Sequence, residues 1–162
     1  MTEIRNRFVS FFMLITLIIC GGCSSAPSPE VERFLAKQGF VAEVSTPPVT
    51  PWEGKTFNLL KKEEWDAKSR AEVPNWKDAY YRFTIVKETY HSHQEASSRL
   101  NRLHEKPPGL SPDENKAFPL REGFSFENTV YVVSCQVSMF HEHMKDFTRE
   151  LQREVSERKN PL

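Results

Sequence analysis

Residues 80–90 read YYRFTIVKETY, and this stretch decides the fold that the sequence predicts. The apolar side chains of Tyr81, Phe83 and Ile85 alternate with polar ones such as Arg82. Alternation of this kind places the apolar residues on one face of an extended chain. Aromatic and β-branched residues, which favour strands, dominate the stretch. It therefore predicts a β-strand with one face in a hydrophobic core.

A helix is predicted directly after this strand. Ser92 and Glu95 have the spacing of a capping box, in which a hydroxyl and a carboxylate satisfy the first backbone N–H groups of a helix. Ala96, Leu100 and Leu103 then recur at helical spacing and form one apolar stripe. The pattern predicts an amphipathic helix that packs on the sheet.

A β-hairpin is predicted next, in residues 123–137, GFSFENTVYVVSCQV. Two β-prone runs flank Glu127 and Asn128, which suit a tight turn. Cys135 lies on the same strand face as Tyr131. We therefore expect Cys135 to be a small buried core residue, with a reactive thiol as the alternative.

The last predicted element is a helix with the clearest apolar stripe in the chain. The stripe consists of Phe140, Met144, Phe147, Leu151 and Val155. Because a sheet needs a cover over its apolar face, packing on the sheet is the expected role, and a seam for a partner helix is the alternative.

The order strand, helix, hairpin, helix in residues 80–160 predicts an α+β domain. This order resembles a ferredoxin-like split β-α-β fold without its last strand, so the expectation is an incomplete ferredoxin-like sheet with helices on one face. Residues 40–45 (FVAEVS) and residues 57–60 are both candidates for the missing edge strand, and the sequence leaves the choice open.

Residues 30–79 are expected to be an irregular segment that packs on this domain. The segment contains all three tryptophans, Trp52, Trp65 and Trp76, and the charge-rich run KKEEWDAKSR, for which a helix is the expectation. The tryptophans would pack the segment onto the domain, because each indole buries a large area. The alternative is an exposed aromatic platform for a sugar polymer or a partner protein.

Residues 1–22, MTEIRNRFVSFFMLITLIICGG, have the layout of a secretory signal peptide. Arg5 and Arg7 precede an apolar run that is too short for a permanent membrane span, which needs roughly 20 residues. Two glycines then lead into Cys23. This arrangement resembles the lipobox of bacterial lipoproteins, except that Cys20 stands where that family usually has an aliphatic residue.

The lipobox resemblance implies that Cys23 is the lipid attachment residue of the mature chain. Two or three acyl chains, such as palmitate, would anchor the protein stably, since each buried CH₂ contributes about 0.8 kcal/mol. Residues 23–29 would then be a lipidated tether. The expected location is the cell envelope, facing the periplasm. Ser24 in the following position favours the outer membrane if the cell is Gram-negative.

Composition excludes several other functions. The signal peptide contains two of the 22 basic and one of the 22 acidic residues, so the mature chain has a net charge of −1. No strong electrostatic attraction to nucleic acid or anionic lipid follows. With Cys23 acylated and Cys20 removed, Cys135 is the one remaining cysteine, which leaves no disulfide framework.

The sequence of residues 80–103, YYRFTIVKETYHSHQEASSRLNRL, also resembles the first half of a SPOR domain. The likeness is carried by the alternating strand, by Ser92 at the helix start, and by Glu95 and Ala96 followed by spaced leucines. It covers about 25 residues and lacks a second repeat. The resemblance implies binding to the glycan strands of peptidoglycan.

The five histidines lie between residues 91 and 143, and four of them form the pairs His91/His93 and His141/His143. Imidazoles bind zinc or copper, but an antiparallel arrangement of the two long strands would place the pairs at opposite ends of the sheet. We therefore expect no metal site and no cofactor, with a periplasmic metal-binding protein as a remaining alternative.

Since no catalytic motif occurs, the expected function is non-catalytic: a binding or structural domain of the cell envelope.

Overall fold

The structure, a computed structural model, describes residues 28–157. The predicted signal peptide and the lipid attachment residue Cys23 lie outside this range. The helices are α1 (Pro29–Lys37), α2 (Pro51–Phe57), α3 (His93–Asn101), α4 (Pro112–Lys116) and α5 (His141–Glu157). The strands are β1 (Phe40–Ser45), β2 (Lys61–Glu72), β3 (Tyr80–Thr89), β4 (Leu120–Phe126) and β5 (Thr129–Cys135). A short 3₁₀ turn, Ser138–Phe140, precedes α5.

The five strands form one open antiparallel sheet in the order β1-β2-β3-β5-β4. The α+β class is confirmed, and so is the order strand, helix, hairpin, helix from β3 onward. Strand β5 lies between β3 and β4, as in a split β-α-β unit. The hairpin turns at Glu127 and Asn128, as predicted, and Glu127 adopts a positive φ of 54° there.

The charge-rich run KKEEWDAKSR, for which the sequence predicts a helix, forms most of strand β2. Strand β2 pairs directly with β3, at the edge where the sequence predicts residues 40–45 or 57–60. Residues 40–45 form the outer edge strand β1, and residues 57–60 form no strand. Along β2, buried Glu63, Trp65, Ala67 and Ser69 alternate with more exposed charged residues. This two-residue period belongs to a strand, and sheet pairing on both sides overrides the helix propensity of Lys and Glu.

Residues 30–79 are not an irregular segment packed on the domain: with Pro29 they form α1, β1, α2 and β2 of the same domain, and β1 coincides with the candidate strand at residues 40–45. Strand β1 pairs with β2, and β2 pairs with β3 over most of its length. The tryptophan-containing segment is therefore part of the sheet itself rather than a cover packed on it.

The helices lie on both faces of the sheet, which corrects the expectation of helices on one face. On the first face, α1 and α5 cover a core that includes Trp65 and Ile85. On the second face, α2 and α3 cover a smaller core that includes Tyr90 and Val130. In the ferredoxin-like fold both helices lie on one face of the sheet. Here strand β5 has buried apolar residues on both faces, so both faces need cover.

The apolar stripe predicted for the last helix is confirmed as the seam between α5 and the sheet. Met144 and Leu151 are fully buried, and Phe147 and Val155 are nearly so. The ring of Phe147 lies 4.9 Å from that of Phe34 in α1, in an edge-to-face contact. The stripe is therefore occupied within this chain.

Candidate functional site

The second face of the sheet is only partly covered, and its uncovered part forms a groove of about 850 Å³. We call this the open-face groove. Helices α2 and α3 cover the half of this face near the end of β3, and the half near the start of β3 remains open. The charged and polar side chains that line the groove are Glu43, Asp66, Lys68, Tyr80, Arg82, Thr84, Ser134 and Gln136.

Sheet register arranges these side chains in two rows. Lys68 lies directly opposite Arg82 on the neighbouring strand. Two residues earlier in β2, Asp66 lies directly opposite Glu43 on one side and Thr84 on the other. Residues directly opposite each other in an antiparallel pair project on the same face. The groove therefore has one positively charged row beside one negatively charged row.

Contacts within the groove are few. The ammonium of Lys68 lies 3.9 Å from the centre of the Tyr80 ring, and the Thr84 hydroxyl donates a hydrogen bond of 3.0 Å to Asp66. Within residues 28–157, Glu43, Lys68 and Arg82 form no ion pair. Their charges therefore face solvent in the groove.

A smaller cavity of about 330 Å³ lies beneath α2 on the same face and meets the groove at Ser134. Lys62 forms an ion pair of 2.9 Å with Glu53 at its wall. Glu64, on the same strand face as Asp66, also lines it. Burial raises the pKa of Glu64, the nearby carboxylate of Asp66 raises it further, and the charge of Lys62 opposes the shift.

A buried polar cluster supports the smaller cavity. Arg99 of α3 donates two hydrogen bonds to Glu88 of β3, at 2.9 and 3.1 Å, and the Tyr90 hydroxyl donates a third, at 2.8 Å. All three residues are buried. Burial and the adjacent Glu88 carboxylate raise the pKa of Tyr90, so its hydroxyl stays protonated and donates. The cluster attaches α3 to the sheet.

On the opposite face, a second cluster holds the start of the described chain. The hydroxyl of buried Ser28 donates to Glu63 at 2.7 Å, and Lys87 donates to Ser28 at 2.5 Å and to Glu30 at 2.8 Å. Burial acts to raise the pKa of Glu30, but the hydrogen bonds that its carboxylate accepts and the charge of Lys87 together outweigh burial and lower the pKa. These bonds attach Ser28 and the start of α1 to strands β2 and β3.

Comparison with protein-family models, with curated proteins and with solved structures gives no significant match. None of the helices in residues 28–157 is long and apolar enough to cross a membrane.

The structure separates the two histidine pairs. His93 hydrogen-bonds the backbone carbonyl of Glu127 at the β4–β5 turn. His141 lies 2.8 Å from the carboxylate of Glu122, near the opposite end of the sheet. His143 stacks on Tyr81 with ring centres 3.9 Å apart, and burial lowers its pKa. The described residues contain no cluster of His, Cys, Asp or Glu suited to a metal ion.

The three tryptophans occupy three different environments. Trp65 is fully buried beneath α1 and α5, and Trp52 packs edge-to-face on Phe57 on the other face of the sheet. Trp76, in the turn between β2 and β3, is 49% exposed. They therefore form no shared platform.

Cys135 is buried, as expected, and burial raises the pKa of its thiol, which disfavours the reactive thiolate.

Sequence reasoning missed the open-face groove because it interpreted β2 as a helix. The available signal was the alternation of Trp65 and Ala67 with Glu64, Asp66 and Lys68. Two apolar residues are a short basis for a period, and the charges on both sides fit an exposed helix equally well. The partners in β1 and β3 that resolve this ambiguity are distant in sequence.

Proposed function

We propose that this chain is a bacterial lipoprotein whose α+β domain acts as a non-catalytic binding or structural component of the cell envelope. The observation that carries the proposal is the signal layout that ends in Gly21, Gly22 and Cys23. Acyl chains on Cys23 would hold the domain at a membrane surface and raise its effective concentration there.

The position of Ser28 supports a short, direct attachment. Five peptide steps separate Cys23 from buried Ser28, and a fully extended chain spans at most about 3.6 Å per residue. The domain would therefore lie within roughly 18 Å of its lipid anchor. The net charge of −1 in the mature chain offers no electrostatic attraction to anionic lipid, so the acyl chains would supply the attachment.

Replacing Cys23 with alanine is expected to release the protein from the membrane fraction. The measurement is fractionation of cells that express the chain, with mass spectrometry of the N-terminus of the native protein. Cys135→Ala is the matched control, because it removes the cysteine of the folded domain and should leave the protein in the membrane fraction. Full membrane retention of the Cys23→Ala variant, or an unmodified N-terminus in the native protein, would refute the lipoprotein proposal.

A second candidate function is binding to peptidoglycan, which the resemblance of residues 80–103 to a SPOR domain implies. The open-face groove favours it, because the groove is accessible and combines an aromatic ring, Tyr80, with polar side chains. Aromatic faces and hydrogen-bonding groups together suit sugar polymers.

If the second candidate is correct, the purified protein should co-sediment with peptidoglycan sacculi. Tyr80→Ala should reduce the bound fraction, because it removes the ring and frees Lys68. Trp76→Ala, which truncates an exposed aromatic outside the groove, is the control and should bind like the native chain. No retention of the native protein on sacculi would exclude this candidate and leave the lipoprotein proposal unaffected.

A further inference from the structure

Two pairs of like charges lie side by side in the open-face groove. Lys68 and Arg82 are direct cross-strand partners, and so are Glu43 and Asp66. Like charges directly opposite each other destabilise a sheet, whereas opposite charges stabilise it. An exchange of one charge between the rows would produce two favourable pairs. The native arrangement is therefore locally less stable than the exchanged one, and a local loss of stability of this kind is typical of functional sites.

The protein itself does little to neutralise these charges. Thr84 donates one hydrogen bond to Asp66, and Lys68 lies over the Tyr80 ring. Glu43 and Arg82 are exposed, and neither forms an ion pair in the part of the chain that the structure describes. The groove volume of about 850 Å³ falls within the range of small-molecule sites. A ligand with charges complementary to both rows would relieve both repulsions.

We propose that the open-face groove binds a zwitterionic ligand: a carboxylate that contacts Lys68 and Arg82, joined to an ammonium that contacts Glu43 and Asp66. The rows are two residues apart along β2, so their backbone positions are roughly 7 Å apart. The ligand must hold its two charges at a similar separation. A free amino acid with a terminal side-chain ammonium has this chemistry, and so does a peptide that ends in such a residue.

This inference rests on the proposed non-catalytic binding role and names the ligand class for it. The groove lies on the opposite sheet face from Ser28, whose partners Glu63 and Lys87 are nearer the other end of β2 and β3. A lipid anchor attached ahead of Ser28 would therefore leave the groove accessible.

The first experiment is an NMR titration of the mature full chain in detergent with 6-aminohexanoate, whose two charges are about 7 Å apart when extended. Amide signals of β2 and β3 around Lys68 and Arg82 should shift in a saturable manner. Hexanoate and hexylamine, which each lack one charge, and glycine, whose charges are close together, are the control probes. They should bind at least about tenfold more weakly, since each loses a charge-assisted contact.

The tripeptide Gly-Gly-Lys distinguishes the two sources of this chemistry. Binding of both Gly-Gly-Lys and 6-aminohexanoate would assign a peptide terminus, and binding of 6-aminohexanoate alone would assign a free amino acid. If neither compound shifts the groove signals, the proposal is wrong. Membrane attachment through Cys23 does not enter this measurement, so its outcome is independent of the lipoprotein test.

A charge reversal supplies the second experiment. Arg82→Glu should reduce the affinity for 6-aminohexanoate by at least about tenfold, because it replaces a cation with an anion at the carboxylate subsite. The same variant should unfold at a higher temperature than the native chain, because it creates an opposite-charge pair with Lys68. Arg33→Glu, at an exposed position of α1 on the other face of the sheet, is the matched control and should leave the affinity unchanged. Unchanged affinity in Arg82→Glu would overturn the assignment.

Discussion

Arg99→Met is expected to lower the free energy of unfolding by about 3–5 kcal/mol, because it leaves the buried Glu88 carboxylate without its cation. Arg99 and Glu88 are each 6% exposed and share two hydrogen bonds. Methionine preserves much of the side-chain length and the packing on Phe57, over which the guanidinium lies at 4.6 Å. The loss therefore reports mainly on the unpaired charge. Urea unfolding followed by tryptophan fluorescence would measure it.

Two further variants test this explanation of the Arg99 effect. The double variant Glu88→Leu/Arg99→Met should recover much of the lost stability, since it removes both charges, although Tyr90 then loses its acceptor. Lys145→Met is the control, because it breaks an ion pair with Glu142 at the protein surface and should lower the stability far less than Arg99→Met does. A loss in Arg99→Met no larger than that in Lys145→Met would contradict the importance of the buried pair.

Gly123→Ala is expected to lower the free energy of unfolding by about 1–3 kcal/mol, through steric conflict in the sheet. A Cβ at this position of β4 would lie 2.6 Å from the backbone carbonyl oxygen of Tyr131 in the paired strand β5. It would also approach Leu103, which packs on the same position from the α3 side at 3.5 Å. Because backbone atoms cannot yield as a flexible side chain does, β4 must shift relative to β5.

Gly54→Ala is the matched control for Gly123→Ala. Gly54 lies within α2, and a Cβ there would be 3.7 Å from Val49, an ordinary van der Waals distance. Alanine is favoured over glycine inside a helix by up to about 1 kcal/mol, so this variant should be as stable as the native chain or more stable. Thermal unfolding of both variants would compare them. Equal stability of the two would show that β4 accommodates the added methyl group.

Elements with strong local signals were predicted correctly from the sequence. Strand β3 has regular alternation, α5 has a long apolar stripe, and the turn at Glu127 and Asn128 has suitable residue types. Helix α3 begins where its capping residue predicts, since the Ser92 hydroxyl accepts from the backbone N–H of Glu95. In each case the signal lies within a single element, where neighbouring residues specify the conformation.

The faces of the sheet could not be assigned in the same way. In β5, Val130 and Val132 contact the core beneath α3, whereas Tyr131 and Val133 contact the core beneath α5. A strand that is apolar on both faces predicts cover on both, whereas a ferredoxin-like arrangement predicts helices on one face only. The role of Arg99 was hidden for a related reason: only the packing of α3 on β3 buries this cation beside Glu88.

The amino-acid sequence by itself determined the local conformation of β3, α3, the β4–β5 hairpin and α5, because capping groups and apolar periodicity act over a few residues. The tertiary structure alone decided that residues 61–72 form a strand, that helices cover both faces, and that four charged side chains meet in one groove. These features depend on pairing among β1, β2 and β3. Cross-strand register, which brings Glu43 beside Asp66 and Lys68 beside Arg82, is set by contacts between segments that no local pattern connects.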